Sequence, residues 1–220
     1  MSSALHTVTT RDALVAEVRK RILSGELVAG DPLTENGLAA QFKVARPTVR
    51  SALQVLASRH LAQQTGRRSL TVPVLTEADV RDLFFVRAPL ELEAVRVLVD
   101  NEHSLDKAEQ ALRALESLPH DASWGDRVEA HTAFHIALID ATGSTRLSRV
   151  YPAMQEEMQL CLAQLHDSYP GPQDLAHEHR ELFEAIRSGS RDRALAEMRA
   201  HLDRALHDFT ITSRRADDSA

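Results

Sequence analysis

The sequence predicts a mostly α-helical protein in two parts, a winged helix-turn-helix over residues 1–75 and an all-α antiparallel bundle over residues 76–220. Three observations predict it. Apolar residues recur at helical spacing along most of the chain, a short basic hairpin signal interrupts them near Gly66, and the two parts carry opposite charge. Residues 1–75 hold ten Lys/Arg against five Asp/Glu, whereas residues 76–220 hold 16 against 27. A cationic head on an acidic body points to a polyanion as the partner of the head.

The elements follow in order. Over 11–24, Leu14, Val18 and Ile22 stand four apart with Val15 and Leu23 beside them, and Gly25 and Gly30-Asp31-Pro32 end the pattern. Leu38, Ala39 and Phe42 mark a short second helix, and Lys43-Val44-Ala45 leaves room only for a tight turn. A third helix starts near Arg46, tolerates Pro47 in its first turn, and lines up Val49, Ala52, Leu53 and Leu56. Helices two and three form the helix-turn-helix. Extended residues around Thr65-Gly66-Arg67-Arg68, with Leu70-Thr71-Val72 returning, form the wing. In the second part, Thr76-Glu77-Ala78-Asp79 reads as a capped start to a long helix through Val80, Leu83, Phe84, Leu90, Leu92 and Val95, kinked at Pro89. Further helices are expected over 105–118, 124–141, 145–166, 173–188 and 191–212, which makes an antiparallel bundle the economical arrangement.

Composition excludes other classes. With 43% hydrophobic and 26% charged residues the chain is globular, and no apolar run approaches the ~20 residues that span a bilayer. Residues 1–10 lack the order of a signal peptide, so a cytoplasmic location is expected. The single cysteine, Cys161, lies between Leu160 and Leu162 and is expected to be a small buried hydrophobe.

A helix that reads DNA must bury one face and offer long cationic donors on the other. Arg46 and Arg50, four apart, project from one side of the third helix, with Thr48 in the same turn and away from the apolar stripe. Arginine can pair bidentately with guanine in the major groove, or position the protein on phosphates. Gly66 permits a tight turn, and Arg67 and Arg68 at its tip are placed for phosphate or minor-groove contact.

Nine of the eleven histidines lie in the second part. His131 and His135 share a helix face with Val128 and Leu138, which turns their rings inward; His179 and His201 lie on two other helices. Two imidazoles from one helix and one from each of two more can hold a divalent ion, zinc or nickel best suiting nitrogen ligands. A metal-dependent hydrolase is the alternative reading, since such a site could activate water. Against it, Thr132 stands where a zinc protease helix would carry its glutamate base.

Leu33-Thr34-Glu35, Leu38-Ala39 and Arg46-Pro47-Thr48-Val49-Arg50-Ser51-Ala52-Leu53 resemble the N-terminal signature of GntR-type regulators. The chain departs from it at Ala45, where a serine or threonine is usual, and at His60, where a glycine usually closes the recognition helix. The resemblance implies a DNA-binding regulator and adds Glu35 to the DNA-binding set. The second part resembles the helical ligand-sensing domain of the subgroup related to fatty-acid-responsive regulators. Its metal-binding members carry Asp-x-x-x-His, a histidine in a Glu-His-Arg-like run, and a last histidine before leucine. Here the run is His131-x-x-x-His135, Glu178-His179-Arg180 and His201-Leu202, with His131 in place of aspartate and Ser144 where asparagine is frequent. That resemblance implies a homodimeric repressor whose operator affinity responds to a small carboxylate effector at the metal, with Arg87 in Val86-Arg87-Ala88-Pro89-Leu90-Glu91 pairing the effector carboxylate.

Overall fold

A computed structural model of the chain describes residues 9–66, 69–164 and 172–217, and among these it forms nine helices and one two-stranded hairpin. The chain divides into two compact units, Met1–Val74 and Leu75–Ala220, each described by itself.

In the first unit, α1 (Thr10–Leu23) starts on Thr9, whose hydroxyl accepts the Asp12 N–H, and it buries Leu14, Val15, Val18, Ile22 and Leu23. Helix α2 (Glu35–Phe42) starts on Thr34, which accepts the Gly37 N–H, and ends on Lys43 in the left-handed region at φ 53°. After Val44 and Ala45, α3 (Arg46–Ser58) begins, burying Val49, Ala52, Leu53 and Leu56, and it packs on α1 and α2. Its far end is a Schellman motif. The His60 N–H donates to the Ala57 carbonyl and the Leu61 N–H to the Leu56 carbonyl, while Leu61 and Leu56 are both fully buried. His60 takes φ 58°, the conformation for which glycine is the usual residue. The hairpin pairs β1 (Gln63–Thr65) with β2 (Ser69–Thr71) in antiparallel register, Gln64 opposite Leu70. The segment before α2 joins it, Leu33 N–H donating to the Leu70 carbonyl.

Helix α3 has one weak point that a substitution can repair. Its N-cap, Ala45, makes no side-chain hydrogen bond to the first turn. Ala45→Ser supplies the missing acceptor and is expected to stabilise the first unit by about 1 kcal/mol. Calorimetric unfolding should show a higher midpoint, and an unchanged one would count against the cap.

Among the described residues of the second unit the regular elements are all helices: α4 (Glu77–Asp100), α5 (Asp106–Glu116), α6 (Trp124–Ala141), α7 (Leu147–Gln164), α8 (Pro172–Arg187) and α9 (Arg191–Asp217). Helix α4 starts with a Thr76–Asp79 capping box and runs through Pro89 without ending; α6 starts with a Ser123–Asp126 box. Helix α4 packs on α9, α6 on α5 and α7, and α8 on α5 and α9. Their apolar faces meet in one core that includes Phe84, Val95, Leu112, Phe134, Leu138, Met158, Leu182, Phe183, Met198 and Leu202. Cys161 is buried in it, and burial pushes its thiol up to about 12, so it packs as an inert apolar group. Among the described residues no helix is long and apolar enough to cross a membrane.

Candidate functional site

Two clusters of polar side chains stand out, one in each unit. In the first unit, Arg46 and Arg50 project from α3 with side chains 59% and 57% exposed. Glu35, at the start of α2, grips Arg50 with both oxygens: Nε donates to Oε1 at 2.6 Å and Nη2 to Oε2 at 2.9 Å. Arg46 Nη2 reaches the same Oε2 at 3.4 Å. The hydrogen bond from Arg50 holds the Glu35 carboxyl below the usual range. Glu35 therefore presents no donor of its own; its negative charge fixes the fork of Arg50 at the open end of α3. Thr48 is half-buried beside these arginines, and Gln54 lies exposed one turn beyond Arg50. Gly66 turns the wing at φ 72° with open space where a Cβ would stand. Arg67 and Arg68 lie outside the described residues.

The second cluster is interior. His131 and His135 on α6, His179 on α8 and His201 on α9 are all buried, and one nitrogen from each lies within 4.8 Å of those from the other three. Burial pushes all four imidazoles down, and the neighbouring histidines push His131, His179 and His201 further; His179 falls to about 3. The rings are therefore neutral at pH 7, the state in which imidazole offers a lone pair to a metal.

Hydrogen bonding fixes which nitrogen offers it. His179 Nδ1 lies 2.6 Å from the Leu175 carbonyl oxygen, which only accepts, so Nδ1 carries the proton and Nε2 the lone pair. Arg87 Nη2, which only donates, lies 3.3 Å from His135 Nε2, so that nitrogen is also a lone pair. The proton of His135 is then on Nδ1, 3.1 Å from Glu91 Oε2 but out of line for a hydrogen bond. The two bare nitrogens, His135 Nε2 and His179 Nε2, face each other at 3.1 Å with no proton between them. That contact is repulsive in an empty site and becomes two bonds around a cation. Neither ring nitrogen of His201 has a hydrogen-bond partner, nor does His131 Nδ1. Unpartnered buried nitrogens are costly, and a shared cation would satisfy them. Imidazoles bound at ~2.0–2.1 Å stand no more than ~4.2 Å apart, so the cluster needs to contract only slightly. The donor set fits a divalent ion.

Against this cluster lies a buried ionic group. Arg87 and Glu91 are one turn apart on α4, 1% and 2% exposed, with Arg87 Nε donating to Glu91 Oε1 at 2.5 Å. The Tyr151 hydroxyl also donates to Glu91 Oε1, and Gln155 Nε2 donates to the Tyr151 oxygen. Burial pushes Glu91 up, but the Arg87 guanidinium beside it outweighs that and holds the carboxyl well below the usual range. The structure thus places Arg87, expected to meet an effector, beside the histidines and already paired with a resident carboxylate. Sequence reasoning missed Glu91, Tyr151 and Gln155. The spacing held a signal: Arg87 and Glu91 continue the buried stripe of Phe84, Ala94 and Val95, where an ionic group needs an internal partner.

A winged helix-turn-helix in one unit and a histidine-lined helical bundle in the other define a DNA-binding transcription regulator with a ligand-binding domain. The chain belongs to the GntR family: it matches the description "Bacterial regulatory proteins, gntR family" over residues 10–72 and "FCD domain" over residues 82–204. It is 30% identical over 195 residues to the probable D-xylose utilization operon transcriptional repressor of Paenarthrobacter nicotinovorans, covering 86% of this chain and 84% of that protein. It is 26% identical over 208 residues to the gluconate operon transcriptional repressor of Bacillus licheniformis, covering 90% and 84%. A GntR transcriptional regulator from Rhodococcus sp. RHA1 shares the fold with a TM-score of 0.80 at 23% identity, over 90% of this chain and 96% of that one. The family and these relatives are transcriptional regulators and not enzymes, so the hydrolase alternative is set aside.

Proposed function

We propose that this regulator represses its target as a cytoplasmic homodimer, and that a small carboxylate metabolite bound at a divalent metal, zinc or nickel, sets its operator affinity. The observation that carries the sensing half is the convergence of four neutral, buried imidazoles, among them His201 with neither ring nitrogen hydrogen-bonded and His131 with a bare Nδ1. His131, His135, His179 and His201 would hold the ion. When bound, the ion supplies positive charge and coordination positions that an anion can fill. His179 is oriented by the Leu175 carbonyl, which keeps its Nε2 turned inward, whereas ligation through His135 Nε2 would require Arg87 Nη2, 3.3 Å away, to turn from that lone pair. Arg87 gives the same pocket a fixed cation for the effector carboxylate. Relatives named as operon repressors support repression.

DNA reading falls to Arg46, Thr48 and Arg50 on α3, with Gly66, Arg67 and Arg68 at the wing touching the backbone or minor groove. Operator and effector affinities are then linked, each altering the other by the same factor. The test compares metal-loaded and chelator-treated protein for operator binding, with organic acids titrated into each. Metal-dependent release by an acid is expected; equal operator affinity under all conditions would overturn the sensing reading.

Glu35 belongs to this function as the clamp on Arg50, not as a contact. Glu35→Gln loosens the guanidinium and removes a negative charge from the groove. Discrimination between operator and random duplex should fall by about tenfold, since a bidentate arginine–base contact is worth ~1–3 kcal/mol. Binding to random duplex should tighten, as expected when charge repulsion of phosphate is lifted. Fluorescence anisotropy at fixed salt measures both, and an unchanged ratio would count against the clamp.

A further inference from the structure

The buried group beside the histidines has the donor arrangement of an occupied carboxylate site. Glu91 Oε1 takes hydrogen bonds from Arg87 Nε and from the Tyr151 hydroxyl, and Gln155 fixes that hydroxyl from behind. Its other oxygen, Oε2, has no hydrogen bond and lies 3.1 Å from His135 Nδ1. The cleft alongside, lined by Glu91, Ala94, His135, Leu138, Ile139 and Met198, is too tight to admit a water. That cleft leaves an acid no room beside Glu91, and the donors of Arg87 and Tyr151 are already taken by the Glu91 carboxylate.

We propose that Glu91 is a tethered competitor for the effector: a carboxylate binds by displacing the Glu91 side chain from Arg87 and Tyr151. This rests on the carboxylate-sensing reading above. The displaced side chain has a second partner in reach, His135 Nδ1, which lies 3.1 Å from Oε2. An imidazole that donates to a carboxylate is a better metal ligand, so displacement also tightens the hold of His135 on an ion. Being tethered, Glu91 acts at a high effective concentration, and an acid held only by Arg87 and Tyr151 competes poorly. The effector class this selects is a small acid that carries a second donor atom for the metal.

The test titrates acetate into the zinc-loaded full chain by calorimetry, for the native protein and for Glu91→Ala and Glu91→Gln. Both variants are expected to bind acetate at least about tenfold tighter than the native chain, and acetate should restore the thermal stability that Glu91→Ala loses. Variants that bind acetate no tighter than the native chain overturn the proposal while leaving the sensing reading in place. Acetate and oxalate both failing to bind any of the three, with zinc loaded, would remove the sensing reading as well. A measurement on the unaltered site covers variants that do not fold. In a Tyr169→Phe background Tyr151 is the one remaining tyrosine, and displacement of Glu91 by oxalate should shift its ultraviolet difference spectrum. Bound oxalate without that shift overturns the proposal.

Discussion

Arg87→Met is expected to destabilise the second unit by about 3–5 kcal/mol, the usual cost of breaking a buried ion pair from one side. The substitution keeps most of the side-chain volume but leaves Glu91, 2% exposed, without its cation. Tyr151 and His135 remain near the carboxylate, but both are neutral, and neither replaces the guanidinium charge. The second substitution separates charge from packing. In Arg87→Met with Glu91→Met, no buried ion is left, and most of the lost stability should return, because a well-packed apolar pair is often as stable as the ionic one. The chain has a single tryptophan, Trp124, whose Nε1 donates to the Leu162 carbonyl inside the second unit. Urea unfolding followed by its fluorescence therefore reports on the unit in question. A single-variant loss under about 1 kcal/mol, the scale of an exposed ion pair, would show that the group is not buried as described.

The second large effect is on pH dependence without metal. The four imidazoles are neutral when folded because burial depresses them, whereas an unfolded histidine titrates at 6.5. Above that value both states are neutral and protonation of the site adds no pH-dependent cost. Below it the unfolded chain takes up protons that the folded one refuses, so stability falls as the pH falls. For His179, with a folded value of about 3, the loss continues across the window from 6.5 down to 3. By pH 5 it amounts to about 2 kcal/mol from this residue, at ~1.4 kcal/mol per pH unit. The other three add in the same direction. Glu91 does not blur the window, because its carboxyl is held low and its contribution is lost only below an unfolded value of 4.5. Urea titrations of chelator-treated protein at pH 7, 6 and 5 measure the slope. His179→Phe should make it shallower by one proton, and a flat profile would mean that the rings are not buried neutral.

Helix α3 was legible because its information is local. The stripe of Val49, Ala52, Leu53 and Leu56 and the spacing of Arg46 and Arg50 depend on helical period alone, and the structure buries the former and exposes the latter. The role of Glu35 was not legible, since the sequence places it 15 residues before Arg50 and only the turn at 43–45 folds it back onto that guanidinium. The four histidines were partly legible: His131 and His135 share a face by spacing, while His179 and His201 could be placed only on two other helices, with the resemblance adding support to them as ligands. Tertiary packing brings all four together.

Sequence by itself determined where the helices run, which face of each is apolar, and that α3 carries exposed arginines, because a periodicity of 3.6 residues is written in neighbouring positions. Only the tertiary structure decided which buried polar groups meet. Arg87 has its helix neighbour Glu91, yet Tyr151 lies 60 residues from that carboxylate and His179 lies 44 from His135. Helix period says that such groups turn inward; the packing of α4, α6, α7, α8 and α9 says which of them meet.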